Sequence, residues 1–451
     1  MGSIQTKTGK LSPTLTIVTD CDSKPAEDFQ EMVSNMTNLS TSAPINQFMD
    51  ILYLGSFFPE KQRKEIFLNS KGVVQNGGNT YQTALLNGLT EYKIYYNFKI
   101  ITSPMLGSFP FRYKKLFYRG CKFAFKSTIE CQSNDFMNLS LCKNISRYNS
   151  IIRDIKEWSA SNNSTEKYII VFSLDLPLIK AACEMKQVNR NIHICLIITD
   201  LFEFMVTPTN LFYKKYSSYQ NRVLSYYLKF IDSFVLLTED MKNKIDIGKR
   251  PYIVIEGIFD ERLDNKHYNY EKEQFKTILY TGTLAKSYGI MHLINAFSLI
   301  NDDNYRLWIC GEGDSRNELI EKCKKDKRIN YFGQLPREEV LILQKRATVL
   351  VNPRLSKEEF TKYSFPSKTM EYLASGTPLI MHPLKCLTYE YLSKIFIVYD
   401  ESDEGLKNKI IEVCEKPQEE LRSFGNEASK FIFNRKNSFV QAGKLIDLLK
   451  K

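Results

Sequence analysis

From Met49 onward, short β-branched apolar runs alternate with amphipathic stretches, and few folds accept that pattern. In the first half the runs are MDILYLG, KIIT, YIIVFSL, HICLIITD and SFVLLTE. In the second half they are TILYTG, YRLWICG, RINYFG, ATVLVNP, TPLIMHP and KIFIVYD, each closing on Gly, Pro or a polar residue. Runs of this kind suit strands buried on both faces, and helix-period stretches such as YQTALLNGL supply the covering layers. The expected class is α/β, with parallel sheets. A chain of 451 residues exceeds what one core holds, so two such domains are expected. The polar, aperiodic DERLDNKHYNYEKEQFK marks the join. The expected organisation is a first domain over 49–265, a linker at 266–276, a second domain over 277–425 and a final helical segment over 426–451. Residues 1–48, polar and without period, are expected to be a poorly ordered extension.

Composition narrows the classes further. A hydrophobic share of 43% with 25% charged residues excludes collagen-like, largely disordered and polytopic membrane chains. No run reaches the roughly 18 apolar residues of a spanning helix. The N-terminus lacks a basic start followed by an apolar core, so a cytoplasmic protein is expected. Ten scattered cysteines include no C-x-x-C pair and read as reduced thiols, with no metal site. The net charge of +11 calls for an anionic partner: a nucleotide, a nucleic acid or an anionic membrane face.

The strongest chemical signal is VNPRLSKEEFTKYSFPSKTMEYLASGTPLIM, at 351–381. A strand ends at Pro353 and a polar loop follows. Ser364, Phe365 and Pro366 then lead into a helix through Lys368 and Glu371, which Gly376 and Pro378 stop. A helix start at the C-terminal edge of a parallel sheet is a ready anion site. Lys368 and Arg354 add charge that suits a diphosphate. Glu371, one turn in, can accept bonds from ribose hydroxyls, or it can simply pair with Lys368 on the surface. Two further loops share the edge. One carries Gly282, Thr283 and Lys286, and the other carries Gly311 and Gly313 in GEGD. Three such loops in order are far more specific than one glycine pair.

These segments resemble the donor domain of glycosyltransferase family 4, the retaining GT-B sugar transferases, above all the bacterial branch that builds capsular, exopolysaccharide and O-chain polymers. Weaker first-half counterparts are ILYLGSFFP, NGGNTYQTALLNGL, IITDL and FVLLTEDM. The resemblance implies a GT-B fold of two Rossmann-like domains facing a cleft. It implies that Glu371 holds the donor ribose and that the amides of Ser364, Phe365 and Pro366 meet the diphosphate. By the same likeness the Gly311–Asp314 loop borders the base, Gly77 and Gly78 approach donor phosphate and acceptor, and the last helix crosses back to the first domain. It further implies a nucleotide-sugar donor (UDP-sugar favoured), a lipid-linked saccharide acceptor, retention of configuration, and neither metal nor cofactor.

Three positions depart from the family pattern. Tyr363 stands where a first glutamate is usual, which leaves Glu359 upstream as its substitute. Thr283 replaces an arginine, and Tyr288 replaces a lysine. Lys286, Arg354 and Lys368 are the candidates for the missing charge. In the first half, Asp175 and Asp200 each end a strand. Either orients an acceptor hydroxyl, or each is a plain turn aspartate.

FPFRYKKLFYRGCKFAFK, at 109–126, carries six Lys/Arg, seven aromatics and no acid. It is expected to lie on an anionic membrane surface, as a basic amphipathic segment would; the plainer reading is a basic helix face over the core. No nucleic-acid module accompanies it. The alternative function is a catalytically silent nucleotide-sugar-binding or scaffold subunit.

Overall fold

The computed structural model describes residues 49–71, 77–92, 96–126, 129–140, 142–161, 166–201, 211–260, 262, 270–357 and 359–451. The expected extension at 1–48 lies outside them, as do residues 266–269 of the expected linker.

Among the described residues the first half holds ten strands: β1 (Met49–Gly55), β2 (Tyr96–Thr102), β3 (Phe117–Tyr118), β4 (Lys122–Phe125), β5 (Ile129–Ser133), β6 (Phe136–Met137), β7 (Lys167–Phe172), β8 (Ile192–Ile198), β9 (Ser233–Leu236) and β10 (Tyr252–Val254). Eight of them form one sheet in the order β10-β9-β8-β7-β1-β2-β5-β4. Every pairing in it is parallel except β4 on β5, which is antiparallel. The second half holds β11 (Lys276–Thr281), β12 (Tyr305–Cys310), β13 (Ile329–Tyr331), β14 (Val349–Asn352), β15 (Leu379–Met381) and β16 (Phe396–Ile397). They pair in parallel in the order β13-β12-β11-β14-β15-β16.

Parallel strands must be covered on both faces, and the cores show it. Leu52, Leu54, Ile169 and Val171 face one layer, which includes Trp158 and Leu178; Ile51, Tyr53, Ile170 and Phe172 face the other. The helices used below are α1 (Gly77–Leu89), α2 (Lys143–Ser161), α3 (Leu176–Val188), α4 (Arg316–Lys325), α5 (Arg337–Arg346), α6 (Lys368–Ala374), α7 (Gln418–Arg435) and α8 (Ser438–Leu449).

The segment expected as a helix over 426–451 is two elements. α7 packs on α6 in the second half and stops at Arg435. The Asn437 side chain then caps α8, its Oδ1 accepting from Val440 N at 2.8 Å. α8 lies on α1, in the first half. The chain therefore crosses between the halves twice, and the two crossings touch: Phe259 N donates to Lys436 O at 2.8 Å. Lys436 is buried there with Glu256, its Nζ 3.3 Å from a carboxylate oxygen.

Residues 109–126 form neither a helix nor a helix face. Tyr113 bridges to Ser70, and the rest folds as β3, β4 and turns. Tyr113 and Tyr118 are buried, whereas Phe111 is 81% exposed.

Candidate active site

At the C-terminal edge of the second sheet, the loops after β11 and β12 are bonded into one ledge. Gly282 N donates to Cys310 O at 3.0 Å, Leu284 N to Glu312 O at 2.9 Å and Ser315 N to Leu284 O at 3.0 Å. Gly311 takes φ +138°, and a Cβ on it would stand 1.8 Å from Gly282 O, so only glycine lets the loops meet. Gly313 sits in the same ledge, and Thr283 is exposed upon it.

Glu371 lies in the first turn of α6, which Tyr372 pins to the end of β11. The Tyr372 hydroxyl accepts from Thr281 N at 2.7 Å and donates to Thr281 O at 2.9 Å. Three groups converge on the Glu371 carboxylate. Gln344, fully buried on α5, donates from Nε2 to Oε1 at 2.8 Å. Lys368 Nζ donates to the same oxygen at 2.8 Å, and Arg337 Nη1 stands 3.5 Å from Oε2. Burial works to raise this carboxyl's pKa. The charges of Lys368 and Arg337, with the bonds from Lys368 and Gln344, overcome it and hold the group below the usual glutamate value. A carboxylate offers about four lone-pair directions. Oε1 is used twice and Oε2 has one long ion pair, so Oε2 keeps room for a ligand hydroxyl.

The three candidate cations differ sharply. Lys286 is 67% exposed and pairs at 3.3 Å with Glu318 of α4. Lys368 is committed to Glu371. Arg354, just past β14, is only 7% exposed, and no carboxylate pairs with it among the described residues. Its guanidinium carbon lies 4.5 Å from the Tyr288 ring centroid and 5.3 Å from that of Phe360. Its Nη1 has no hydrogen-bond partner. Burial draws its pKa below that of an ordinary arginine.

Between Arg354 and α6, Ser364 is half-buried, whereas Phe365 and Pro366 are buried; Phe365 rests against Tyr391, centroids 5.2 Å apart. Glu359 is exposed at the start of a short 3-10 turn, Glu359–Lys362. Tyr363 is buried within the core of the first half, with Lys244 Nζ 5.6 Å from its ring centroid. The loop after β14 thus reaches across to the other half.

In the first half, Gly77 and Gly78 open α1, and a Cβ on Gly77 would meet nothing within 4 Å. Gln82 ties that first turn to the loop after β1, accepting from Ser56 N at 2.9 Å. The two aspartates separate. Asp175, at the start of α3, spends both oxygens on buried Arg147 of α2, at 3.0 and 2.5 Å, and Arg147 also bonds Ser103. Asp200, two residues past β8, is open to solvent and accepts from Thr199 Oγ1 at 3.2 Å. Solvent reaches it from one side, yet the protein crowding the others pushes its carboxyl pKa up. Among the described residues, no three His, Cys, Asp or Glu side chains are placed to hold a metal.

Gln344, Arg337, Tyr288, Phe360 and Arg147 were not singled out as functional from sequence. One signal existed for the first two, which are seven residues apart on α5 and so share a face.

Residues 262–431, which include all six strands of the second sheet, match the family model described as Glycosyl transferases group 1. Solved structures align over nearly the whole molecule. A sucrose-phosphate synthase from Thermosynechococcus elongatus matches with TM-score 0.58 at 14% identity, over 89% of this chain and 99% of that one. HepE from Anabaena, in complex with UDP, matches with TM-score 0.56 at 13% identity, over 89% and 100%. The fold is GT-B. A third protein of that architecture, from E. coli and bound with UDP-2-fluoro glucose, matches with TM-score 0.57 at 12% identity, over 89% and 99%. A search of curated proteins finds no match. In this GT-B chain no described helix is long and apolar enough to cross a membrane.

Proposed function

We propose that the protein is a retaining glycosyltransferase moving a sugar from a nucleotide-sugar, UDP-sugar first among them, to a hydroxyl of a lipid-linked saccharide. The observation that carries this reading is Glu371, kept ionised by three basic or amide groups at the sheet edge, with only one long ion pair on its Oε2. That arrangement suits a ribose. The family match over 262–431 and the UDP held by HepE agree with it. In the reaction the bond from the sugar's anomeric carbon to the diphosphate oxygen breaks, and the acceptor oxygen bonds that carbon and loses its proton. The nucleoside diphosphate leaves with added negative charge, so donors that strengthen there lower the barrier. In this reading the Gly282–Thr283 and Gly311–Gly313 ledge borders the nucleotide, while Ser364, Phe365 and Pro366 face the diphosphate from one side and Gly77 and Gly78 from the other. Asp200, open and with a raised pKa, is the better partner for an acceptor hydroxyl; Asp175 is spent on Arg147. Glu359 is the nearest acidic residue upstream of Glu371 on the same loop. No metal or cofactor is required.

The acceptor side of the proposal rests on the surface around 109–126. The segment that carries exposed Phe111 is tied to the helix Arg63–Asn69, whose Leu68 is 72% exposed, by Lys114 Nζ donating to Leu68 O at 2.7 Å. Apolar side chains among lysines and arginines suit the inner, anionic face of a membrane.

Nucleotide release from UDP-, GDP- and ADP-sugars, with membrane lipid extract as acceptor, tests the reading. Release from one donor should fall about 10- to 100-fold in Glu371→Ala, the loss of a charged hydrogen bond. No nucleotide binding by the wild type would remove the donor site. Tight binding with no release from any donor would favour a silent donor-binding subunit, a reading that Thr283 and Tyr288 at the family's cationic positions keep open.

A further inference from the structure

The charge missing from the loop after β11 has a physical replacement. Arg354 is buried without a carboxylate, and one of its Nη groups bonds to nothing. Taking a guanidinium out of water is costly, and aromatic faces return only part of the lost hydration. A fold keeps such a group when an anion completes it. The local backbone looks built for holding it. Gly289 takes φ +80°, and a Cβ there would stand 2.2 Å from Pro353 O, so the turn carrying Tyr288 is pressed onto the backbone next to Arg354. That approach lays the Tyr288 ring on the guanidinium, and Phe360 follows from the short turn downstream. The other cations of this edge already have carboxylate partners, Glu318 for Lys286 and Glu371 for Lys368.

We infer that Arg354 is the cation that receives the donor's diphosphate, and that Tyr288, standing where the family carries a lysine, holds the guanidinium in place for it. Charge has moved from the loop after β11 to the loop after β14, and an aromatic ring fills the vacated position. This inference rests on the donor reading above.

The test compares nucleoside di- and monophosphates (UDP with UMP, GDP with GMP, ADP with AMP) by calorimetric titration of wild type, Arg354→Met, Arg354→Lys and Tyr288→Leu. The wild type should prefer the diphosphate. Arg354→Met should cut diphosphate affinity about 10- to 100-fold while monophosphate affinity stays nearly unchanged. Arg354→Lys should recover part of the loss, because a charge remains but the fork is gone. Tyr288→Leu should give a smaller loss of the same kind. The ligand-free melting temperature of Arg354→Met should hold or rise, since an uncompensated buried charge is removed. A di- to monophosphate preference unchanged in Arg354→Met would overturn the inference while leaving the donor site standing. A wild type that binds neither nucleotide would sink both.

Discussion

At Glu371, two lysine and arginine charges and one buried amide meet a carboxylate that burial alone would neutralise. Its folded pKa lies below the unfolded one, so its contribution to stability is fully present above the ordinary value of about 4.5 and fades as pH falls through the lower folded value. Urea unfolding across that acid range should show Glu371→Gln losing less stability than wild type; parallel curves would mean that the donors do not grip the carboxylate. This residue was legible because its signal is contiguous: strand, loop and helix start lie within one run of sequence. Lys368 was legible beside it at the i, i+3 spacing, but the other two partners were not, since Gln344 and Arg337 come from another helix. The two strand-ending aspartates show the same limit. Asp175 and Asp200 look alike in sequence, and what divides them is Arg147, 28 residues before Asp175.

The strands were readable because burial on both faces leaves continuous apolar runs. The final helices were harder. Spacing through FIFNRKNSFV continues one helical pattern, and the break rests on a side chain, Asn437, that bonds its own backbone three residues on. The basic stretch at 109–126 misled for the opposite reason. Its charges and rings suggested a helix, but Tyr113 and Tyr118 are needed inside, and alternating exposure along β3 and β4 is a strand habit. Where α8 meets α1, a Cβ on Gly88 would stand 1.9 Å from the backbone oxygen of Ser438. Gly88→Ala should therefore destabilise the protein by about 1–3 kcal/mol, as overpacking does. Chemical denaturation measures it, and a neutral result would mean that α8 can slide on α1.

On the scale of the molecule, alternation in the sequence conveyed two α/β domains built on parallel sheets, and the resemblance to GT-B transferases, not the alternation, implied that they face one cleft. What it could not convey is which surfaces face outward together. Helix Arg63–Asn69 and the segment at 109–126 follow different strands, yet Lys71 N donates to Arg112 O at 2.9 Å and joins them. If this combined surface meets a membrane, Leu68→Ser with Phe111→Ser should reduce co-sedimentation with vesicles of anionic lipid and leave nucleotide affinity alone. Equal sedimentation of both proteins would assign the patch elsewhere.

The return of α8 to α1 also sets an order of events during synthesis. Leu85, Leu86 and Leu89 share their core with Leu445, Leu448 and Leu449. The side of those α1 leucines that α8 covers is made early and stays open while some 350 further residues are added, at roughly 5 to 20 residues per second. The first half thus emerges from the ribosome long before it can close, and for tens of seconds its apolar flank is a surface that a chaperone could hold or a neighbouring nascent chain could stick to.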